Sequence, residues 1–405
     1  MEQFHCGTKL FSGPGSVAVL SDMQIKRLLL VTDPYFRENG TAQRIAQIAK
    51  AEKTEMFDKI TPDPSVELVA EGTVLVKELQ PDTIVALGGG STLDCAKAMA
   101  FFGGKGVRLV AIPTTSGSGS EVTDFAVLTH NQTKHPLVDS RLQPETAILD
   151  SDLLHALPPK LVADCGFDVL AHALEAYVAL GAGAITDAIA ADAFSVAYAL
   201  LPASFAGNRA VRQKIHTASA MAGMAFSQAG LGLCHAMSHA LGGMFHVPHG
   251  RLNAILLPSV ISLNAHTAGA KYAALARRAG LGGSADTIAV RNLKNGLVHL
   301  RKQLQLPSTL QQAGIDPRLL HSKTGALVTA VLQDACCKTN PIPVEDYMVR
   351  SVLEEATGHG RYSAKRGAGC GNDHDPADPV GIDGGEPGIR LCRAPYADHR
   401  PEDRL

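Results

Sequence analysis

No Cys-x-x-Cys pair occurs in this chain, although it carries eight cysteines (Cys6, Cys95, Cys165, Cys234, Cys336, Cys337, Cys370, Cys392). Scattered this way they give neither a disulfide framework nor a thiolate zinc site, and they suit a reducing cytosol. An excess of charge of one sign is also lacking. The formal net charge is −2 with Lys and Arg dispersed, so there is no basic stripe for nucleic acid and no electrostatic case for a membrane surface. No apolar run approaches the roughly 20 residues of a membrane helix, and no charged stretch followed by an apolar core opens the chain. The protein is therefore expected to be soluble and intracellular. The Gly-Lys-Ser of a P-loop and the pattern Gly-x-Gly-x-x-Gly are missing as well, which excludes an ATPase signature and a standard dinucleotide fingerprint. No internal repeat is visible.

What is present suits two domains: 405 residues, 45% of them apolar, can fill two cores. Up to about residue 155, continuous apolar runs of strand length (Arg27–Thr32, Thr83–Leu87, Val107–Ile112) alternate with stretches of helical spacing at 40–53 and 64–79. Such runs belong to parallel strands buried on both faces, so residues 1–155 read as an α/β domain with a mainly parallel sheet. From 156 to 357 the pattern changes to long Ala- and Leu-rich helices, entered at Pro158-Pro159, with helices expected over 186–206, 269–280, 285–304, 322–337 and 343–356. Asp187 and Asp192 read there as surface or cap residues. Residues 358–405 are dense in Gly, Pro, Asp and Arg with almost no apolar periodicity, the composition of a disordered tail or of a shifted reading frame.

Polar residues stand out against the apolar helices of the second half. Asp168 and His172 are four apart, as are His235 and His239, and His246 and His249 follow closely. Each pair at that spacing projects from one helix face. A lone histidine on such a face is more often a hydrogen-bonded core residue, and Asp168 alone could be a cap. Five histidines and an aspartate in two tight groups point instead to a divalent cation, which would offset the cost of burying them. His246 is left undecided between ligand and bystander.

In the first half, Gly88-Gly89-Gly90-Ser91 follows the Thr83–Leu87 run and opens a helix containing Asp94 and Lys97. Glycines let a ligand approach the backbone, and the helix start suits a pyrophosphate; a plain strand-to-helix turn has the same sequence. The loop from Pro113 through Thr114, Thr115, Ser116, Gly117 and Ser118 to Glu121 follows the next run, at a place where α/β proteins bind ligands, though a Ser/Gly linker would look alike. Asp33 closes the first run. A carboxylate there can accept from an adenosine ribose while repelling a 2′-phosphate, whereas Asp33-Pro34 could also be only a turn.

The pattern Gly166-x-Asp168-x-x-x-His172-Ala-x-Glu175, the run Ala229-Gly-Leu-Gly-Leu-Cys-His235-Ala-Met-Ser-His239 and the stretch Pro248-His249-Gly250 with Asn253-Ala-Ile-Leu-Leu-Pro258 resemble the iron-containing (group III) alcohol dehydrogenases. The likeness runs from about residue 4 to 357, and within the family it is greatest to the alcohol dehydrogenases of propanediol and ethanolamine microcompartment systems. It implies the dehydroquinate synthase-like fold of that family, an α/β dinucleotide-binding domain followed by an all-α metal domain. By motif, the metal ligands would be Asp168, His172, His235 and His249, with His239 beside the substrate as the proton relay. Asp33, Gly88, Gly89, Gly90, Ser91, Asp94, Thr114, Thr115 and Ser118 would bind NAD(H), with Asp33 selecting against NADP. Ser118 stands where Thr is more usual, a change expected to matter little.

The implied reaction interconverts a small primary alcohol, such as 1-propanol or ethanol, and its aldehyde. The implied metal is Fe(II), with Zn, Mn or Co permitted by three imidazoles and a carboxylate. A polyol dehydrogenase such as glycerol dehydrogenase is the enzyme alternative; Phe167, Leu170, Met237 and Phe245 argue for a smaller, more apolar pocket. A non-catalytic microcompartment component, docking through Met1–Leu10, is the alternative of another class. The resemblance also implies a homo-oligomer such as a dimer, a cytoplasmic location, and a place inside a microcompartment with a shell or lumen partner.

Overall fold

The structure, a computed structural model, describes residues 4–104, 106–130 and 133–358. Apart from Gly358, the atypical segment 358–405 lies outside the described residues. The strands are β1 (Lys9–Ser12), β2 (Arg27–Thr32), β3 (Lys53–Phe57), β4 (Thr83–Gly88), β5 (Arg108–Pro113), β6 (Phe125–His130), β7 (Thr133–Val138) and β8 (Thr146–Leu149). Six of them form one parallel sheet in the order β1-β8-β5-β4-β2-β3, and β6 and β7 pair antiparallel beside it. The expected runs fall on β2, β4 and β5. Every residue of β4 is buried, which is why its apolar run is unbroken. The edge strand β3 exposes its first three residues and carries no such signal.

Helices α1 (Pro34–Glu38), α2 (Thr41–Ala49), α3 (Val66–Leu79) and α4 (Gly90–Gly103) connect the strands. The expected helix over 40–53 ends at Ala49, and its last residue begins β3. From β2 the chain passes through α1 and α2 to the edge strand β3, returns through α3 to β4, and then winds the other way through α4 to β5. The winding therefore reverses between the carboxyl ends of β2 and β4, the position where open α/β sheets form a ligand crevice. Asp33 and Gly88–Gly90 are the residues at those two ends.

After the last strand the chain is helical: α5 (Pro159–Val178), α6 (Ala184–Phe205), α7 (Arg212–Ala229), α8 (Leu233–Phe245), α9 (His249–Arg278), α10 (Asp286–Gln303), α11 (Pro317–Gln333) and α12 (Asp346–Ala356). Helix α5, started by Pro159 at its first position, packs against α6, α7 and α9 and is buried nearly all round. Helix α6 has the length and apolar composition to cross a bilayer, contrary to the expectation that no segment does. It lies instead against α5 and α7, with Phe194, Ala197 and Leu201 in the helical core. Asp187 and Asp192 pair with Lys271 and Arg278 at 2.9 and 3.2 Å.

The expected helix 269–280 is only the last part of α9, a 30-residue helix that runs through Pro258. A proline inside a helix leaves the carbonyl four residues earlier without its donor. Here that carbonyl belongs to Ala254, and Arg301 Nη1 of α10 donates to it at 3.2 Å.

Candidate active site

Asp168 and His172 sit one turn apart on α5, His235 and His239 one turn apart on α8, and His249 is the first residue of α9. Helix α8 ends at His246, whose φ of 54° is left-handed and whose N–H donates to Gly242 O. The corner Val247-Pro248 then turns the chain so that His249 returns beside His235, with ring centroids 5.2 Å apart. His246 itself is exposed and takes no part in the cluster. Gly250 lets α9 start directly on α5, since a Cβ there would overlap the Asp164 carbonyl.

One oxygen, Asp168 Oδ1, lies 3.8 Å from His235 Nε2 and 3.6 Å from His249 Nε2, while on His172 the nitrogen nearer to it is Nδ1, at 3.9 Å. Around a four-coordinate ion with bonds of about 2.0–2.2 Å, donors stand ~3.4 Å apart, so the spacing of Asp168, His235 and His249 fits a small divalent cation. The other nitrogens are held by protein. His235 Nδ1 donates to Glu175 Oε2 at 2.7 Å and His172 Nδ1 to Gly117 O at 3.1 Å, which leaves Nε2 of each ring for an ion; Asn253 Nδ2 also lies 3.4 Å from His235 Nε2. Asn253 Nδ2 donates to Asp168 Oδ1 at 2.7 Å, and Ser238 Oγ holds Asn253 in turn at 2.6 Å.

The electrostatics also favour a cation. Burial opposes ionisation of Asp168, but His172, His249 and His235 around it prevail and hold its carboxyl below the usual range. Burial pushes His172 down to about 4. His235 is buried too, yet hydrogen bonding to Asp168 and Glu175 lifts it to about 9. The two carboxylates thus favour positive charge at this ring, which a cation bound there would supply.

His239 lies at the edge of the cluster, partly exposed, stacked on His249 with centroids 5.1 Å apart. Its Nδ1 donates to Asp334 Oδ2 at 2.9 Å, while Asp334 Oδ1 accepts from Cys336 N at 2.8 Å. Phe226 stacks on His172 at 4.4 Å and sets an apolar ring against the cluster. Phe167, Leu170 and Met237, expected to line a small pocket, are instead fully buried in the helical core. Helices α5 and α8 are apolar on several faces, so composition alone does not say which face meets the cleft.

On the sheet side, Asp33 caps α1, accepting from Phe36 N at 3.2 Å. Gly88–Gly90 lead from β4 into α4, and Thr114 N donates to Gly88 O at 2.9 Å. The two loops touch: a Cβ on Gly90 would lie 3.0 Å from Ser118 Oγ, and one on Gly89 3.3 Å from Thr115 Oγ1. Ser91 Oγ accepts from Asp63 N at 3.3 Å. Asp94 turns inward, with Ser120 Oγ on one oxygen at 2.6 Å and Val127 N on the other at 3.0 Å. The loop after β5 is fixed from behind by His216 Nδ1, 2.9 Å from Ser116 Oγ, and by Gly119, which packs against the backbone of Gly223. Glu175, Asn253, Asp334, Phe226 and His216 were given no role in the sequence reading. The first two lie inside quoted motifs; Asp334 is 95 residues from its partner His239, and no local pattern announces it.

Comparison with known proteins matches residues 7–151 to the family described as iron-containing alcohol dehydrogenase, and residues 162–357 to the Fe-containing alcohol dehydrogenase family, C-terminal. A 1-propanol dehydrogenase PduQ of Citrobacter freundii is 39% identical over 368 residues, covering 88% of this chain and all of the relative. An NADPH-dependent butanol dehydrogenase of Clostridium saccharobutylicum is 35% identical, over 87% of this chain and 97% of the relative. The solved structure of an iron-containing alcohol dehydrogenase from Thermococcus thioreducens aligns with a TM-score of 0.82 at 31% identity, over 89% of this chain and all of the other.

Proposed function

The chain belongs to the iron-containing alcohol dehydrogenase family and is an oxidoreductase, and from that premise we propose that it interconverts a short primary alcohol, such as 1-propanol or ethanol, and its aldehyde with NAD(H). The observation that carries this reading is the convergence of Asp168, His235 and His249 on one point, beside a loop that hydrogen-bonds the fourth ligand, His172. Those four residues would hold a divalent ion, Fe(II) in the cell, which would supply a Lewis acid for the substrate oxygen, as NAD(H) would supply the acceptor or donor of hydride.

The chain's own residues do the rest. Asp334 fixes His239 through Nδ1, so that Nε2 is free to move a proton to or from the substrate oxygen. The amino end of α4 at Gly89 to Ser91 takes the pyrophosphate, Thr114, Thr115 and Ser118 line the nicotinamide side, and Asp33 receives the adenosine ribose. The switch point between β2 and β4 supports that placement. A butanol dehydrogenase 35% identical to this chain is NADPH-dependent, so nucleotide choice does not follow from the family, and Asp33 is what assigns NAD here. A homo-oligomeric state and a microcompartment setting in the cytoplasm complete the proposal, on the strength of the likeness to a 1-propanol dehydrogenase.

The test is anaerobic purification, loading with Fe(II), and NADH oxidation against a panel of C2 to C4 aldehydes, with NADPH and with glycerol plus NAD as comparisons. Propionaldehyde or acetaldehyde with NADH should give the highest kcat/KM. A higher value for glycerol, or no turnover of any aldehyde by iron-loaded protein, overturns the reading.

A further inference from the structure

Glu175 lies on α5 one turn beyond His172 and is 2% exposed. Its two oxygens meet four N–H groups. Oε1 accepts from Cys234 N at 2.8 Å; Oε2 accepts from Gly232 N at 2.9 Å, His235 N at 3.3 Å and His235 Nδ1 at 2.7 Å. A carboxylate this deeply buried needs compensation, and the start of α8 supplies it, because the first N–H groups of a helix lack intrahelical acceptors and carry its positive partial charge. Asn340 completes the cap, its Oδ1 accepting from Leu233 N at 3.1 Å. Gly232 makes room for both: a Cβ there would lie 2.8 Å from Glu175 Oε1 and 2.8 Å from Asn340 Oδ1. Two side chains from distant segments therefore cap α8, and only Glu175 also reaches an imidazole.

We propose that Glu175 is a positioning residue that sets the affinity of the Asp168, His172, His235 and His249 cluster for a divalent cation. A carboxylate can only accept, so it fixes the proton of His235 on Nδ1 and leaves the lone pair on Nε2, the atom facing Asp168 Oδ1. The same carboxylate anchors the backbone from which His235 projects, so ring orientation and ring tautomer are set by one group. This inference rests on the reading of the cluster as a metal site.

The experiment measures the Co²⁺ dissociation constant by chelator competition, together with the thermal midpoint of the metal-free protein, for wild type, Glu175→Gln and Asn340→Ala. Glu175→Gln turns an NH₂ group toward donors and should weaken Co²⁺ binding about 10- to 100-fold. Asn340→Ala removes only a cap, and should lower the midpoint while leaving the Co²⁺ constant unchanged. Co²⁺ affinity of Glu175→Gln within about twofold of wild type overturns the proposal. So does an Asn340→Ala variant that loses as much affinity, since capping alone would then explain the effect. If Glu175→Gln does not fold, Glu175→Asp decides, because it keeps the charge and shortens the reach: weaker binding at an unchanged midpoint supports the proposal, and unchanged binding overturns it. Wild-type protein that binds no Co²⁺ overturns the reading of the cluster itself, and the proposal with it.

Discussion

His172 Nδ1 donates to the carbonyl oxygen of Gly117 across 3.1 Å, which joins a residue of the proposed metal cluster, on α5, to the loop that follows β5. Gly117 is seated on the same helix, where an added Cβ would stand 3.0 Å from Cys165 Cβ and 3.1 Å from Cys165 Cα. Neither helix backbone nor loop can yield easily at such contacts.

Gly117→Ala should therefore lift the loop from α5 and disturb both sites at once. The expected result is a rise in KM for NADH together with weaker metal binding, each by several-fold, in protein that remains folded by circular dichroism. Measuring both constants on one preparation checks this; a change in NADH affinity alone would mean the hydrogen bond to His172 carries no weight.

Replacing His249 or His235 by Ala removes a ligand and should strip the metal along with nearly all turnover. His239→Ala should keep close to stoichiometric metal while turnover falls by about 10²- to 10⁴-fold, the usual range for a lost general acid or base. Asp334→Ala should reproduce much of that defect, since it frees Nδ1 of the same ring. Elemental analysis beside kcat decides, and loss of the ion from His239→Ala with its retention by His249→Ala would reverse the two roles.

Nucleotide choice is best probed with Asp33→Ser. Serine keeps an oxygen for the cap of α1, now made to Phe36 N, while removing the charge that would face a 2′-phosphate. The ratio of kcat/KM for NADPH over NADH should rise; a ratio equal to wild type removes Asp33 from the cofactor site.

Arg301→Met tests the passage of α9 through Pro258. The methionine keeps an apolar stem but leaves the Ala254 carbonyl without a donor, which should cost about 1–3 kcal/mol. A lower midpoint in urea at unchanged slope is the expected outcome, with metal content and KM as in wild type.

Much of this molecule could be read from its residues, and the limits have physical causes. Strands β2 and β4 are covered on both faces and so print unbroken apolar runs, whereas β1 and β3 are edges, and four-residue β8 is too short to print a pattern. The division into ligands and proton relay came only with the family's motif, whereas the grouping of Asp168 with His172 and of His235 with His239 was legible because i, i+4 spacing fixes a common face regardless of what lies opposite. Their supports were not: Gly117 reaches His172 from 55 residues away, and Arg301 reaches Ala254 from another helix. For the same reason the helix expected over 269–280 is only the end of one that starts at His249 and runs through Pro258.

The corner between α8 and α9 has a consequence for how the chain can vary in length. His246 sits in the left-handed region and Pro248 has its φ fixed, so the turn has little slack to absorb an extra residue. An α-helix advances 3.6 residues per turn, and one residue inserted or deleted between His246 and His249 would rotate the start of α9 by about 100° relative to its packing on α5. Exposed loops such as the one at Gly207 can grow or shrink at small entropic cost. At residues 246–248 the same edit would carry an imidazole from the centre of the cluster to the outside of the bundle.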